Sequence, residues 1–146
     1  MRILLALASV AAVLGQTIGA WKLDAAKSSF AGDTRPKSLT IRIEQHPKGE
    51  VFTLDRVEAD GRGTSSSTVL YLDGVARDFR DFGCSGTQSS RRVDRETIEI
   101  LRTCASGAWS RLVRRAFAQT GELVLEISEQ KADGHRLEQR LVLERQ

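Results

Sequence analysis

Few side chains in this sequence have the types and spacing that chemistry requires, and the two cysteines come first. Cys84 and Cys104 flank a stretch in which residues 89–93 and 97–103 read as two strands joined by a turn at Asp94-Arg95-Glu96. Such a hairpin pairs positions equidistant from residue 95, so the cysteines fall nearly opposite each other at its open end. Oxidation to a structural disulfide is the chemistry this placement favours; closing a loop of that size stabilises a fold by roughly 3 kcal/mol. A metal or redox site fits less well, because the chain has no CxxC and no histidine beside either cysteine.

Other candidates are weaker. His46 lies beside Pro47 and His135 stands before the last apolar run, with no shared ligand spacing. Asp55, Glu58 and Asp60 are close in sequence, but strand alternation sends them to different faces. No HExxH, GxSxG or phosphate-cradling glycine loop is present. The residues therefore indicate no catalytic group, no metal site and no cofactor, and an enzyme is unsupported. Arginines cluster at Arg91-Arg92, Arg95 and Arg111-Arg114-Arg115. They suit either an anionic partner or a solvated face balanced by Asp94, Glu96 and Glu99, and the second is favoured. Nucleic acid is not an expected partner, since none of the eight aromatic residues interleaves with these clusters as a stacking platform.

The chain that must position these groups has 146 residues, enough for one ordinary domain, and a formal net charge of +3. Its 28% charged and 40% hydrophobic composition is that of a globular protein. Much of the apolar content is concentrated at the start. Residues 1–15 carry Arg2 and then an apolar run from Ile3 to Leu14 interrupted only by Ser9. That run suits the core of a secretory signal and falls short of the roughly 20 residues a membrane helix needs. Cleavage is expected after Gly15, with Ala20 as the alternative, leaving residues 16–146 as a single exported domain, periplasmic or secreted, with no transmembrane segment. An oxidising compartment also suits a disulfide. The sequence contains no Asn, so N-linked glycosylation is excluded.

Beyond residue 37 short strand-like runs alternate with turn signals. Ser38–His46 puts Leu39, Ile41 and Ile43 on one face and Thr40, Arg42 and Glu44 on the other, which is the period-two pattern of a half-buried strand. Residues 50–59, 64–72 and 75–79 follow, with Asp73-Gly74 reading as a hairpin turn and 81–88 as a loop. Residues 108–119 have a length that would suit a helix, but Trp109, Val113 and Phe117 share a parity, which favours a strand. Residues 122–129 and 135–145 complete the series, with Val124 breaking the alternation of its strand. Both prolines, Pro36 and Pro47, lie outside these runs. Sequential strands with short connections leave no room for crossover helices, so the sheet is antiparallel. Closure avoids exposed edges. The expected fold is all-β: an antiparallel up-and-down barrel of about 8–10 strands, with residues 21–23 pairing with the last strand and 24–37 crossing one end.

The opening of the folded part carries a resemblance. Gly19-Ala20-Trp21-Lys22-Leu23-Asp24, then Ala26-Lys27-Ser28-Ser29-Phe30, then Pro36-Lys37-Ser38-Leu39-Thr40, resembles the start of a family of small exported bacterial proteins with a lipocalin-like barrel. Its members open with GxWKLN or GxWKLD, continue with AKSxF and PKSLT, and punctuate later strands with DG turns. The likeness runs on through Asp60-Gly61, Asp73-Gly74 and Arg92-Val93-Asp94, and weakly to Glu144-Arg145-Gln146. The family is largely uncharacterised, so the resemblance implies a fold more than an activity. In lipocalins a GxW motif opens the first strand, and its Trp plugs the closed end beneath a basic residue from the last strand. Gly19, Trp21 and Arg145 are similar in type and place. A second lipocalin motif and a helix after the barrel are missing from the sequence, so ligand transport does not follow from the resemblance.

Two functions are then open. One is a barrel that binds a small apolar or amphipathic ligand against an interior lined by Ile41, Ile43, Ile98, Ile100, Leu123, Leu125, Leu141 and Leu143. The other is a structural or protein-interaction module of the cell envelope, in which those same residues pack the barrel solid.

Overall fold

The structure, a computed structural model, describes residues 17–32, 35–81 and 83–146. The expected signal segment, residues 1–15, lies outside them. Ten strands follow in chain order: β1 (Gly19–Leu23), β2 (Ser38–His46), β3 (Gly49–Val57), β4 (Gly63–Leu70), β5 (Arg77–Asp81), β6 (Cys84–Arg92), β7 (Thr97–Cys104), β8 (Trp109–Phe117), β9 (Glu122–Gln130) and β10 (Arg136–Arg145). They form one antiparallel sheet in the order β4-β3-β2-β1-β10-β9-β8-β7-β6-β5. As expected, β1 pairs with β10, through Trp21↔Arg145 and Leu23↔Leu143. The sheet curls into a nearly closed barrel with a single seam, where β4 and β5 share no backbone ladder.

Side chains stitch that seam instead. The Ser66 hydroxyl donates to the Asp81 carboxylate at 2.5 Å, and Gln88 Nε2 donates to Thr68 Oγ1 at 2.9 Å. Asp73-Gly74 is therefore not the hairpin turn it resembles, because the strands on either side of it are the two edges of the sheet. Leu72 adopts φ 58, and a wide corner results. It is pinned to β6, where Ser90 accepts from Leu72 N through its hydroxyl and from Gly74 N through its carbonyl.

Two further expectations need correction. Residues 84–88, read as loop, belong to β6, because ladders to β5 on one side and β7 on the other override the weak strand propensity of Ser, Gly and Gln. Gly86 is needed there: a Cβ would sit 1.8 Å from the Thr103 carbonyl oxygen. Residues 109–117 do form a strand, β8, as their parity favours; Trp109, Val113 and Phe117 are its outward set, since Leu112 is opposite Ile100 and Ile127 on the inner face. Finally, residues 24–29 stay with β10 before the chain turns toward β2. Asp24 N donates to Val142 O, and Ser29 bridges Arg140. A short 3-10 turn (Ala25–Lys27), capped by the Asp24 carboxylate, lets Lys27 reach Glu122 and Glu144. Outward-facing Val124 and its cross-strand partner Val142 are buried beside this segment, which explains the break in alternation at Val124.

The core is concentrated toward one end. Trp21, Ile41, Ile43, Leu70, Ile98, Leu123, Leu125 and Leu143 are all buried there, and removing each such side chain from water is worth about 1.5–3 kcal/mol. Among them lies one charged pair, Arg114 of β8 and Glu50 of β3, whose side chains are 2% and 7% exposed. Their nearest atoms are 2.6 Å apart but not aligned as a hydrogen bond, so the attraction is ionic. The guanidinium also lies 5.8 Å from the Phe52 ring centroid. Burial lowers the Arg114 pKa from its ordinary value, and Glu50 opposes that shift.

Candidate functional site

At the opposite end the barrel is hollow. A cavity of about 400 Å³ occupies the interior between the ends of β3, β7 and β9 and the starts of β4, β6 and β8. Strand alternation decides its walls. Ile100, Leu112, Ile127 and Gln139 lie side by side on β7, β8, β9 and β10, so three aliphatic side chains and one amide form a continuous row. Leu39, Phe52, Leu54 and Leu141 extend the apolar surface. One register step nearer the mouth, Arg102, Ser110 and Glu129 make a polar row. Arg56, Ser66, Thr68 and Asp81 complete the polar wall beside the seam.

Those polar groups engage one another. Arg102 Nε donates to Gln88 Oε1 at 2.8 Å, and Gln88 in turn donates to Thr68. The Arg102 guanidinium lies over the Phe79 ring, 4.5 Å from its centroid. Burial lowers the Arg102 pKa from its usual value, while Asp81 and then Glu129 act in the opposite direction. Arg56 Nε meets Glu58 Oε1 at 2.6 Å. At the rim, Trp109 lies under Arg136 with 5.2 Å from guanidinium to ring centroid. Cys84 and Cys104 are joined in a disulfide and line the mouth, their Cα atoms 5.1 Å apart. Sequence reading placed the cysteines nearly opposite; in the sheet Cys104 is opposite Gly86, so the bridge runs diagonally to Cys84.

Of the eight residues expected to line a cavity, only Ile100 and Leu141 do so. Ile41, Ile43, Ile98, Leu123, Leu125 and Leu143 are interior but fill the solid end. Facing inward is a matter of parity, whereas facing an empty space depends on height along the barrel. Sequence reading also missed Arg102 and Glu129, although Arg102 continues the parity of Ile98 and Ile100, and Glu129 that of Leu125 and Ile127.

The solid end is closed by Gly19, Trp21 and Arg145 together. Arg145 stacks 4.4 Å from the centroid of the Trp21 ring, which is 2% exposed. Its Nη1 donates to Ile18 O at 2.7 Å, and Trp21 Nε1 donates to Thr17 O at 2.9 Å. Gly19 has φ +134, and a Cβ there would come within 2.9 Å of Arg145 Nη1. Glycine thus serves both the backbone and the close approach.

The arginine clusters divide by parity. Arg91 and Arg111 converge on Glu99 from β6 and β8 on the outer surface, at 2.9 and 2.7 Å, while Arg114 turns inward to Glu50. His46 accepts a turn hydrogen bond from Lys48 N, and His135 is exposed. Asp55, Glu58 and Asp60 meet Arg42, Arg56 and Arg62 separately. Among the described residues, no three His, Cys, Asp or Glu side chains are gathered to hold a metal ion, and no helix is long and apolar enough to cross a membrane.

No family model matches the sequence, and no curated protein sequence is similar to it. Among solved structures the chain is similar to a fatty acid binding protein of Schistosoma mansoni, in complex with arachidonic acid. The superposition has a TM-score of 0.59 at 9% identity and covers 92% of this chain and 98% of that one. The fold is a lipocalin-like β-barrel. At such low identity the likeness speaks to architecture, and the side chains described above have to carry any statement about chemistry.

Proposed function

We propose that this protein binds a small amphipathic molecule inside its barrel, without catalysing a reaction on it. One observation carries this reading: the hollow end encloses about 400 Å³ between an apolar wall and a polar one, within the range of small-molecule sites. At about 30 Å³ of liquid volume per water, the space suits a ligand of about a dozen non-hydrogen atoms. Its apolar part would lie against Leu112, Ile127 and Leu141, and its polar end beside Arg102 and Gln88. The fatty acid held by the similar barrel supports a ligand of this general kind. A filled barrel, which the structural-module alternative requires, is present at one end only.

Native mass spectrometry of the protein purified from its producing cells tests the reading. A small molecule that co-purifies and is lost on denaturation is expected. A protein without such a companion that also binds no C8–C12 amphiphile in calorimetry would overturn it.

We also propose that the chain is exported, as a member of the exported family its opening resembles. The apolar run of residues 3–14 and the disulfide both support this. Cleavage after Ala20 would remove Gly19 and Ala20, which pair with Ile43 and Arg42, so Gly15 is the better site. Amino-terminal sequencing of the protein from the exported fraction should read Gln16 first. An intact Met1 in the cytoplasmic fraction would refute export.

A further inference from the structure

The polar wall of the cavity is charged yet balanced. Three cations border it, Arg56, Arg102 and the exposed Lys131, and the first two have carboxylates nearby. Glu58 pairs with Arg56 at 2.6 Å. Asp81 and Glu129 both line the cavity with Arg102, and Glu129 shares its register row with only Ser110 between them. Arg102 has further partners in Gln88, at 2.8 Å, and the face of Phe79. A site built to capture an anion presents cationic charge in excess, so that the incoming group supplies what is lacking. Here Arg56 already has Glu58, and Arg102 already has Asp81 and Glu129, before any ligand arrives.

We infer that the cavity selects an uncharged amphiphile, with an alcohol, amide or ester head, over an amphiphilic carboxylate or ammonium of the same chain length. This rests on the binding reading above and names the ligand class for that site. An ionic head would enter a low-dielectric space whose charges are already matched, and would leave one charge uncompensated whichever its sign. A neutral head avoids that penalty and can still use the donors and acceptors present. Thr68 and Ser110 place hydroxyl groups around the same space, and Ser66 Oγ, which donates to Asp81, can still accept. Asp81 and Glu129 are then the specificity-determining residues, because they cancel the attraction that Arg102 alone would exert on an anion.

Titration calorimetry of the folded, disulfide-intact protein at pH 7 with octan-1-ol, octanoate and octylammonium tests this directly. Octan-1-ol is expected to bind about ten-fold more tightly than either ion. Asp81→Asn should shift the preference toward octanoate by about ten-fold, and Arg102→Gln should shift it toward octylammonium. Glu129→Gln repeats the first test at a residue outside the seam, should Asp81→Asn compromise folding. Octanoate binding as tightly as octan-1-ol to the unaltered protein would overturn the inference, as would charge variants that leave the order unchanged. Binding of none of the three probes to a protein with an intact melting transition would instead overturn the binding reading itself.

Discussion

At the end of the barrel marked by Trp21 and Arg145, Ile43, Leu123, Leu125 and Leu143 are fully buried in one apolar cluster. At the end marked by Cys84 and Cys104, the same strands surround an empty space lined by both aliphatic and charged side chains. The two ends are held together by different means. Close packing stabilises the first. The second lacks that packing, and it is there that the disulfide lies and that Ser66–Asp81 and Thr68–Gln88 contacts replace a backbone ladder. Stability and binding capacity are thus segregated along one barrel axis. A solid end tolerates a hollow one because the strands running through both are continuous.

Substitutions can break or sharpen this contrast. The largest effect is expected at the buried ion pair of the solid end. Glu50→Gln leaves Arg114 without its counter-charge and should cost about 3–5 kcal/mol in urea denaturation. Replacing both residues with apolar ones of similar volume should recover most of the loss. Next, Leu125→Ala in the packed end should cost about 3–4 kcal/mol, whereas Leu112→Ala in the cavity wall should cost about 1 kcal/mol and enlarge the binding space. Equal costs would mean that the ends do not differ in packing. Removing the bridge with a Cys84→Ser, Cys104→Ser double variant should cost roughly 3 kcal/mol, given the 20-residue separation.

The smallest effect belongs to the outer surface, which neither end uses. Glu99 is held below its ordinary pKa of 4.5, first by its hydrogen bond from Arg91 and then by Arg111. A carboxyl depressed in the folded state contributes stability above its unfolded pKa and loses it as pH falls through the folded value. The unaltered protein should therefore lose more stability below pH about 4 than Glu99→Gln, by about 0.5 kcal/mol or less because both arginines are half-exposed. Melting temperatures across pH 3 to 6 would measure the difference, and parallel curves would remove the triad from the stability account.

Much of the fold was legible because alternation is a local property. Leu39, Ile41 and Ile43 announced β2 without reference to any other strand, and the turn at residues 94–96 already brought Cys84 near Cys104. The errors arose where a local signal is overruled by a distant partner. Asp73-Gly74 has the chemistry of a hairpin turn, yet Ser90 on another strand draws the chain into an open corner. Residues 84–88 have little strand character, but two neighbouring ladders enforce it. For the cavity, parity indicated which side chains face inward and could not tell where along the axis they stop meeting one another.

The sequence by itself determined an antiparallel barrel of strands, the proximity of its two cysteines and the pairing of its first strand with its last. These follow from period-two patterning, short connections and the need to cover sheet edges. Only the tertiary structure decided that the barrel is solid at one end and hollow at the other, with Arg102, Asp81 and Glu129 around the space. Those residues come from three different strands, and their shared height depends on the register of the whole sheet, which no single segment encodes.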